Sequence, residues 1–285
     1  MKYIRNNYII SIKLITILIL LINCSSNKKD NETIISSDIE TYKSGLLSLQ
    51  DSNYSKAVKE FDNLYINHPF SSLAKKSEIM TAYSLYQNNE INKSISKLKT
   101  FNEMNPKDEF SDYAHYLLAM CYYIQISNQG RDPSLSLKAL NSFKLITTKY
   151  PNSKYAKDSK LKIQFIKNSL AINELNIGKF YLKKHAPANS IKRFKTILQK
   201  YQNSSAIPET LYRLTEALLM MGLKEEAIKS NAILKYNFPN SEWSNLSKGI
   251  LSNISSTSEK VSFTSSIKNY FVTIFDWLNA KRINN

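Results

Sequence analysis

The residue best placed for covalent chemistry is Cys24. Its thiol follows a basic start (Lys2, Arg5, Lys13) and the apolar block Leu14–Ile22, closing with Leu21-Ile22-Asn23-Cys24. A positive beginning and a short apolar core mark an exported chain, and this core is shorter than the ~20 helical residues that span a bilayer. Cleavage is therefore expected in place of anchoring. The cysteine sits at the spacing of a bacterial lipobox, so its thiol would receive a diacylglycerol and its freed amine a further acyl chain. Two or three chains at ~0.8 kcal/mol per buried methylene attach a protein stably, where one chain is marginal. Asn23 departs from the Gly, Ala or Ser that lipoboxes prefer, and the competing reading is a plain thiol beside an ordinary cleavage site.

Other side chains with chemical potential are scattered. His68, His115 and His185 lie far apart and lack metal-ligand spacing. Five glycines are too few for a phosphate-cradling loop, and neither a nucleophile elbow nor an HExxH pair occurs. The chain reads as no enzyme, with no catalytic residue, no metal site and no cofactor beyond the N-acyl diacylglycerol on Cys24.

The rest of the chain must then be read for what it holds. Its 285 residues, 42% hydrophobic and 11% aromatic, suffice for one large domain or two small ones. Cys121 is the only other cysteine and lies in the apolar run Tyr116–Ile126, where a small packed side chain is expected. The formal charge is +16, or +13 once Lys2, Arg5 and Lys13 leave with the signal segment. The lysines are spread at helical spacing without an arginine cluster or zinc spacing, so nucleic acid is not an expected partner. A salt-sensitive attraction to acidic headgroups or acidic protein faces fits better.

Beyond residue 40, apolar residues recur at three and four positions with few glycines or prolines between them, which predicts an all-α chain. The helical runs end in similar words: His68-Pro69-Phe70-Ser71, Asn105-Pro106-Lys107, Tyr150-Pro151-Asn152-Ser153 and Phe238-Pro239-Asn240-Ser241, with Tyr201-Gln202-Asn203-Ser204 as a copy lacking proline. At a fixed distance before these endings stand large residues (Phe61, Leu98, Phe143, Phe194), and one turn earlier small ones (Ala57, Ser94, Ala139, Ser190). Three further small residues, Gly45, Ala82 and Gly178, precede them at a common offset. The last copy keeps Thr215 and Ala227 but has Asn231 at the large position. Small residues let two antiparallel helices approach, and the bulky residue fills the gap beside them. This is the tetratricopeptide pattern of ~34-residue units, and the expected fold is a solenoid of about five helix-turn-helix units.

Two departures from the period are informative. A wider gap between Ala119 and Ala139 marks an inserted loop, Ser127 to Pro133, with Asp132-Pro133 suited to begin the next helix. From Ser153 to about Lys184 only Gly178 interrupts, predicting a helix of ~30 residues and ~45 Å that joins two arms. The expected organisation is a lipoprotein signal peptide (1–23), a flexible linker (24–38), an amino-terminal arm (39–152), the long helix with a carboxy-terminal arm (153–250) and a tail (251–285).

With the lipobox, the repeats, His68-Pro69-Phe70, the Arg131-Asp132-Pro133 loop end and Tyr150-Pro151-Asn152-Ser153-Lys154-Tyr155, the chain closely resembles the BamD family from Cys24 to about Ile250. The resemblance implies a non-enzymatic lipoprotein of the β-barrel assembly machinery, anchored on the periplasmic face of the outer membrane. Ser25 after the cysteine is compatible with that destination. It further implies that the carboxy-terminal arm binds a POTRA domain of BamA, beside other lipoproteins of the complex. The amino-terminal repeats would receive unfolded barrel precursors through a terminal aromatic signal. Arg193 matches the family arginine that pairs with an acidic residue of BamA. A competing class is a periplasmic coordinator of envelope constriction and peptidoglycan synthesis similar to the CpoB family, but such proteins usually begin with a coiled coil and lack a lipobox. A lipoprotein hydrolase with a helical accessory region is opposed by the missing motifs.

For precursor capture the physical candidates are Tyr83, Tyr86, Tyr113 and Tyr116, aromatic residues on first helices of early units. Their rings offer apolar area to an extended peptide, and nearby lysines attract its carboxylate. At helical spacing such tyrosines also serve as core. In the tail, Phe263, Ile267, Tyr270, Phe271, Ile274, Phe275 and Leu278 share one helical stripe, which predicts an amphipathic helix that caps the solenoid, docks to another protein or lies in the membrane interface.

Overall fold

The computed structural model describes residues 29–126 and 132–252. Cys24 with its leader, Arg131 of the inserted loop and the tail stripe from Phe263 to Leu278 lie outside the described residues. What is described is eleven helices and the turns between them, with no strand among the described residues. The all-α expectation holds. Backbone proximity divides the chain into two compact units, with the division between Lys97 and Leu98.

The first unit holds α1 (Lys29–Gln50), α2 (Tyr54–Asn67), α3 (Ala74–Gln87) and the beginning of α4 (Ile91–Met104). α1 begins inside the stretch expected to be linker. No glycine or proline stands between Lys29 and Ser44, so nothing in that stretch breaks a helix. α1 packs on α2, and α2 on α3. At their centre Ala57, Phe61 and Leu64 are fully buried, and Tyr42 meets the Phe61 ring edge-on at 5.4 Å between centroids. A Cβ added to Gly45 would stand 2.6 Å from that ring, so α1 and α2 approach as they do because the side chain is missing. In the next pair the small positions touch directly: the buried Ser94 hydroxyl donates to the Ala82 carbonyl at 2.7 Å.

The second unit continues α4 and adds α5 (Ser111–Tyr123), α6 (Ser134–Lys149), α7 (Ala156–Lys183), α8 (Pro187–Lys200), α9 (Ile207–Met220), α10 (Lys224–Asn237) and α11 (Glu242–Ser252). From α5 to α10 each helix packs on the next, and α11 lies against both α9 and α10. α7 is the long helix expected from the sequence. Its 28 residues extend roughly 42 Å, and both α6 and α8 pack along it inside this unit. The Phe194 ring repeats the arrangement of Phe61: it is fully buried, and a Cβ on Gly178 would lie 2.3 Å from it. Ala139 and Phe143 are likewise fully buried on α6. In the last pair Thr215, Ala227 and Asn231 occupy the same positions, all buried. Asn231 Oδ1 has no hydrogen-bond partner, an orphaned acceptor of the kind that costs ~1–3 kcal/mol.

Two local devices shape the chain between helices. Within pairs, the turn reverses over three residues, and its middle residue takes a left-handed conformation: Ser52 (φ 57°), Asn89 (60°), His185 (53°) and Gly222 (74°). That conformation strains every side chain but glycine's, and three of the four sites accept it to close the turn. Between pairs, the repeated serine is a clamp. Ser153 Oγ accepts from the Tyr155 amide at 3.2 Å and donates to Asp112 Oδ2 at 2.6 Å. Ser204 Oγ accepts from the Ala206 amide at 3.1 Å and donates to Asn168 Oδ1 at 2.8 Å. Ser71 does the same with the Leu73 amide and Asp38. Each clamp secures the start of one helix and ties it to the first helix of the preceding pair. The proline absent at Gln202 is thus dispensable, because the serine two residues on makes the bonds.

At the inserted loop, Asp132 accepts from the Ser134 amide at 2.9 Å and the Ser134 hydroxyl at 2.7 Å, starting α6 as the sequence led us to expect. Those bonds hold the Asp132 carboxyl below the usual carboxylate range.

Gly178→Ala is expected to lower stability by ~1–3 kcal/mol through overpacking on Phe194, although alanine favours a helix by ~1 kcal/mol. Gly249→Ala, with no atom within 4 Å of its added Cβ, should raise it. Urea unfolding of the two variants measures both signs.

Candidate functional site

The half-buried rings of Tyr113 and Tyr116 lie on one face of α5 and converge on a third ring, Tyr155, at the residue before α7. Tyr116 stacks on Tyr155 with centroids 4.7 Å apart and 21° between planes, and Tyr113 leans on it at 5.3 Å. The Tyr116 hydroxyl donates to Asp158 Oδ2 at 2.8 Å, which fixes the ring between α5 and α7. Tyr116 also meets the buried Phe143 edge-on at 6.1 Å, Phe143 meets Tyr123 at 6.0 Å, and Tyr123 meets Phe165 at 6.1 Å. The result is one connected set of rings from Tyr113 to Phe165, joined in the interior by the fully buried Phe143, so that the tyrosines and Phe165 are the members that reach the surface. It ends in the open: Phe165 is 61% exposed and its α7 neighbour Leu161 65%.

Cations border the strip. Lys154 Nζ lies 5.1 Å from the Tyr155 centroid and Lys162 Nζ 5.2 Å from that of Tyr123. Lys162 also pairs with Asp158 at 3.5 Å. A face of edge-packed rings with ammonium groups at its margin can hold an apolar or aromatic side chain and a carboxylate together.

Of the four tyrosines singled out from the sequence, Tyr113 and Tyr116 belong to this strip. Tyr83 and Tyr86 sit half-buried on α3 in the first unit, where the Gln87 side-chain amide donates to the Tyr83 hydroxyl at 2.6 Å. Tyr123, Tyr155, Phe165 and Lys162 were not anticipated. Tyr155 is visible in the sequence only as part of a helix-opening phrase. Leu161, Phe165 and Ile172 form a second apolar stripe on α7, beside the buried stripe of Ile166, Leu170 and Leu175, and periodicity alone does not tell which stripe stays exposed.

Arg193, on α8, forms an ion pair within the chain: its NH1 lies 3.2 Å from Glu174 Oε2 on α7, with 39% of the arginine side chain exposed. The same glutamate helps to raise the Tyr201 hydroxyl's pKa, although burial is the larger cause. Further along, Glu209 takes Lys179 at 2.8 Å and Arg213 at 3.5 Å. Arg213 reaches Glu216 at 2.8 Å while lying over Tyr212 (5.1 Å) and Trp243 (5.3 Å). Burial works against its charge, but bonds to Glu216 and Glu209 outweigh that and raise its pKa.

Among the described residues no group of His, Cys, Asp and Glu is arranged to hold a metal ion. Cys121 is fully buried in α5. No helix of the described residues is long and apolar enough to cross a membrane.

Paired helices with small-against-large packing, joined by left-handed turns and serine clamps, define a tetratricopeptide-type repeat protein with an aromatic strip on one unit. The chain belongs to the YfiO family of outer membrane lipoproteins, whose model matches residues 36–246. The outer membrane protein assembly factor BamD of Rickettsia prowazekii (strain Madrid E) is 38% identical over 230 residues, covering 81% of this chain and 91% of that protein. BamD of Caulobacter vibrioides is 37% identical over 202 residues, covering 71% and 66% respectively. BamD of Neisseria meningitidis serogroup A is 30% identical over 203 residues, covering 68% and 76%. The resemblance drawn from the repeats and the loop end is therefore the right one.

His115 yields a pH test of this packing. Its ring lies 5.7 Å from that of Tyr150, and burial, with the nearby Lys149 charge, holds its pKa below the ordinary histidine value. The unfolded chain then binds the proton more readily than the folded one, so the associated stability is present above about pH 6.5 and is lost as pH falls through the lowered pKa. Melting temperature should drop between pH 7 and pH 5, and less steeply in His115→Gln.

Proposed function

We propose that this protein is a non-enzymatic scaffold of outer-membrane protein assembly, held on the periplasmic face by the lipid on Cys24. It binds BamA through the carboxy-terminal arm, sits beside other lipoproteins of that complex and receives unfolded barrel precursors on its rings. The observation that carries the reading is the strip from Tyr113 to Phe165 with Lys154 and Lys162 at its edge. An extended precursor ending in an aromatic residue has a ring for the strip and a carboxylate for a lysine, and neither interaction needs a folded partner. Family membership supports the setting, since the relatives are named as assembly factors of outer membrane proteins. Tyr83 and Tyr86 remain candidates for a separate contact on the first unit.

Replacing Tyr116, Tyr155 and Phe165 together by alanine should weaken binding of a peptide with a carboxy-terminal phenylalanine by about tenfold or more, at ~0.5–1.5 kcal/mol per ring contact. Amidating the peptide terminus or raising the salt should weaken it in the parent protein too. Fluorescence titration gives both results, and unchanged affinity in the triple variant would remove the strip from the reading.

Arg193 is the proposed contact for an acidic residue of BamA. Its partly exposed guanidinium already has one carboxylate partner, Glu174, and has donors left for a second. Arg193→Glu faces Glu174 with a like charge and should abolish co-purification of BamA while circular dichroism shows unchanged helix content. Arg193→Lys should retain part of it, because one point charge cannot reproduce the planar fork.

A further inference from the structure

The three serine clamps differ in one respect. Ser71 and Ser153 donate to carboxylates, those of Asp38 and Asp112, whereas Ser204 donates to the amide oxygen of Asn168. At the same turn Gln202 stands where the other four endings have proline. Both exchanges fall beside a small pocket of about 70 Å3 between α7 and the α8–α9 turn, whose lining includes Gln164, Lys167, Lys200, Gln202 and Ser204.

Its walls are fixed. Gln164 Nε2 donates to the Asn203 carbonyl at 2.9 Å, and Asn168 Oδ1 accepts from the Ser204 hydroxyl at 2.8 Å and from the Ser205 amide and hydroxyl at 2.9 Å each. The charge, by contrast, is left unbalanced. Among the described residues no carboxylate lines the pocket, and from Ser159 to Pro208 the chain has a single one, Glu174, which Arg193 holds. Two ammonium groups and an amide around a cleft without an acid suit an anion that comes from outside. At ~30 Å3 for a water, the space takes one carboxylate and little more.

We propose that this pocket receives the terminal carboxylate of an extended peptide whose last aromatic ring rests on Phe165. Gln164 in the wall is the residue before Phe165 on α7, and Phe165 and Leu161 are both exposed there, so one terminal residue meets ring and ammonium groups together. The lysines bordering the rings are already engaged, Lys162 with Asp158 and Lys154 over Tyr155. The inference rests on the peptide-binding reading of the rings and adds a direction to it: the bound chain ends at the α8–α9 turn and runs back along α7 toward Tyr123 and Tyr116.

The test titrates the purified full chain with a fluorescent peptide ending in phenylalanine, once as the free acid and once as the amide. The parent protein should bind the acid about tenfold or more tighter than the amide. Lys167→Gln combined with Lys200→Gln should bring the acid down to the affinity of the amide, which itself stays unchanged. Lys154→Gln combined with Lys162→Gln, with the same loss of charge, should keep the preference for the acid. A preference that survives in the first pair, or vanishes in the second, would overturn the pocket assignment. The affinity for the amide reads the rings separately: if it is untouched by alanine at Tyr116, Tyr155 and Phe165, the ring reading fails, and a parent protein that binds neither peptide overturns both.

Discussion

Paired helices stand at the distance they do because a phenylalanine ring fills the place of a missing side chain. Phe61 lies on Gly45 and Phe194 on Gly178, closer than a Cβ would permit. Full burial of such a ring contributes ~1.5–3 kcal/mol, and the contact forms only if both helices are in register. Close approach in turn demands a tight reversal between them, which the left-handed residues at Ser52, Asn89, His185 and Gly222 provide. The strain at those turns is thus a consequence of the packing and not an independent feature. Where the ring is absent, at Asn231, the same pocket holds an unsatisfied amide oxygen. Among the described pairs, the last is the one whose large position is held by a polar side chain, buried and with its oxygen unsatisfied.

The second unit separates two uses of aromatic residues. Phe143 and Phe194 are fully buried and serve packing, whereas Tyr113, Tyr116, Tyr123 and Tyr155 are half-buried and keep a polar edge. The hydroxyl of Tyr116 bonded to Asp158 shows what that edge does: it orients a ring that is not enclosed by other side chains. The strip is therefore ordered before any ligand arrives, and a bound chain would spend little of its interaction energy on arranging it. Ion pairs follow a similar logic. Glu174 takes Arg193 from the next helix, and Glu209 takes Lys179 from α7 and Arg213 from its own helix, so part of the large positive charge is neutralised inside the fold.

Much of this was legible in the residues. The offsets linking Gly45, Ala57 and Phe61, or Gly178, Ser190 and Phe194, are local enough that a linear reading finds them, and all of the small and large pairs are buried as their spacing requires. The long helix was expected from Ser153 to about Lys184 and runs from Ala156 to Lys183. What escaped were contacts between residues remote in sequence. Nothing near Arg193 announces Glu174 on the preceding helix, and Tyr155 and Phe165 become a continuation of Tyr116 and Tyr123 only once α5 and α7 flank α6. The serines of the repeated phrases were visible as text, but their carboxylate and amide partners, Asp38, Asp112 and Asn168, lie a whole pair away. The division between Lys97 and Leu98 falls within a helix, where no breaker residue marks it.

α7 carries Phe165 and Glu174 on one uninterrupted rod, about 14 Å apart along its axis. A molecule bound at the first and another bound at Arg193 beside the second would be held at that spacing as if by a ruler. Any twist or tilt imposed at one station must displace the other, without a relay of rearranging side chains in between.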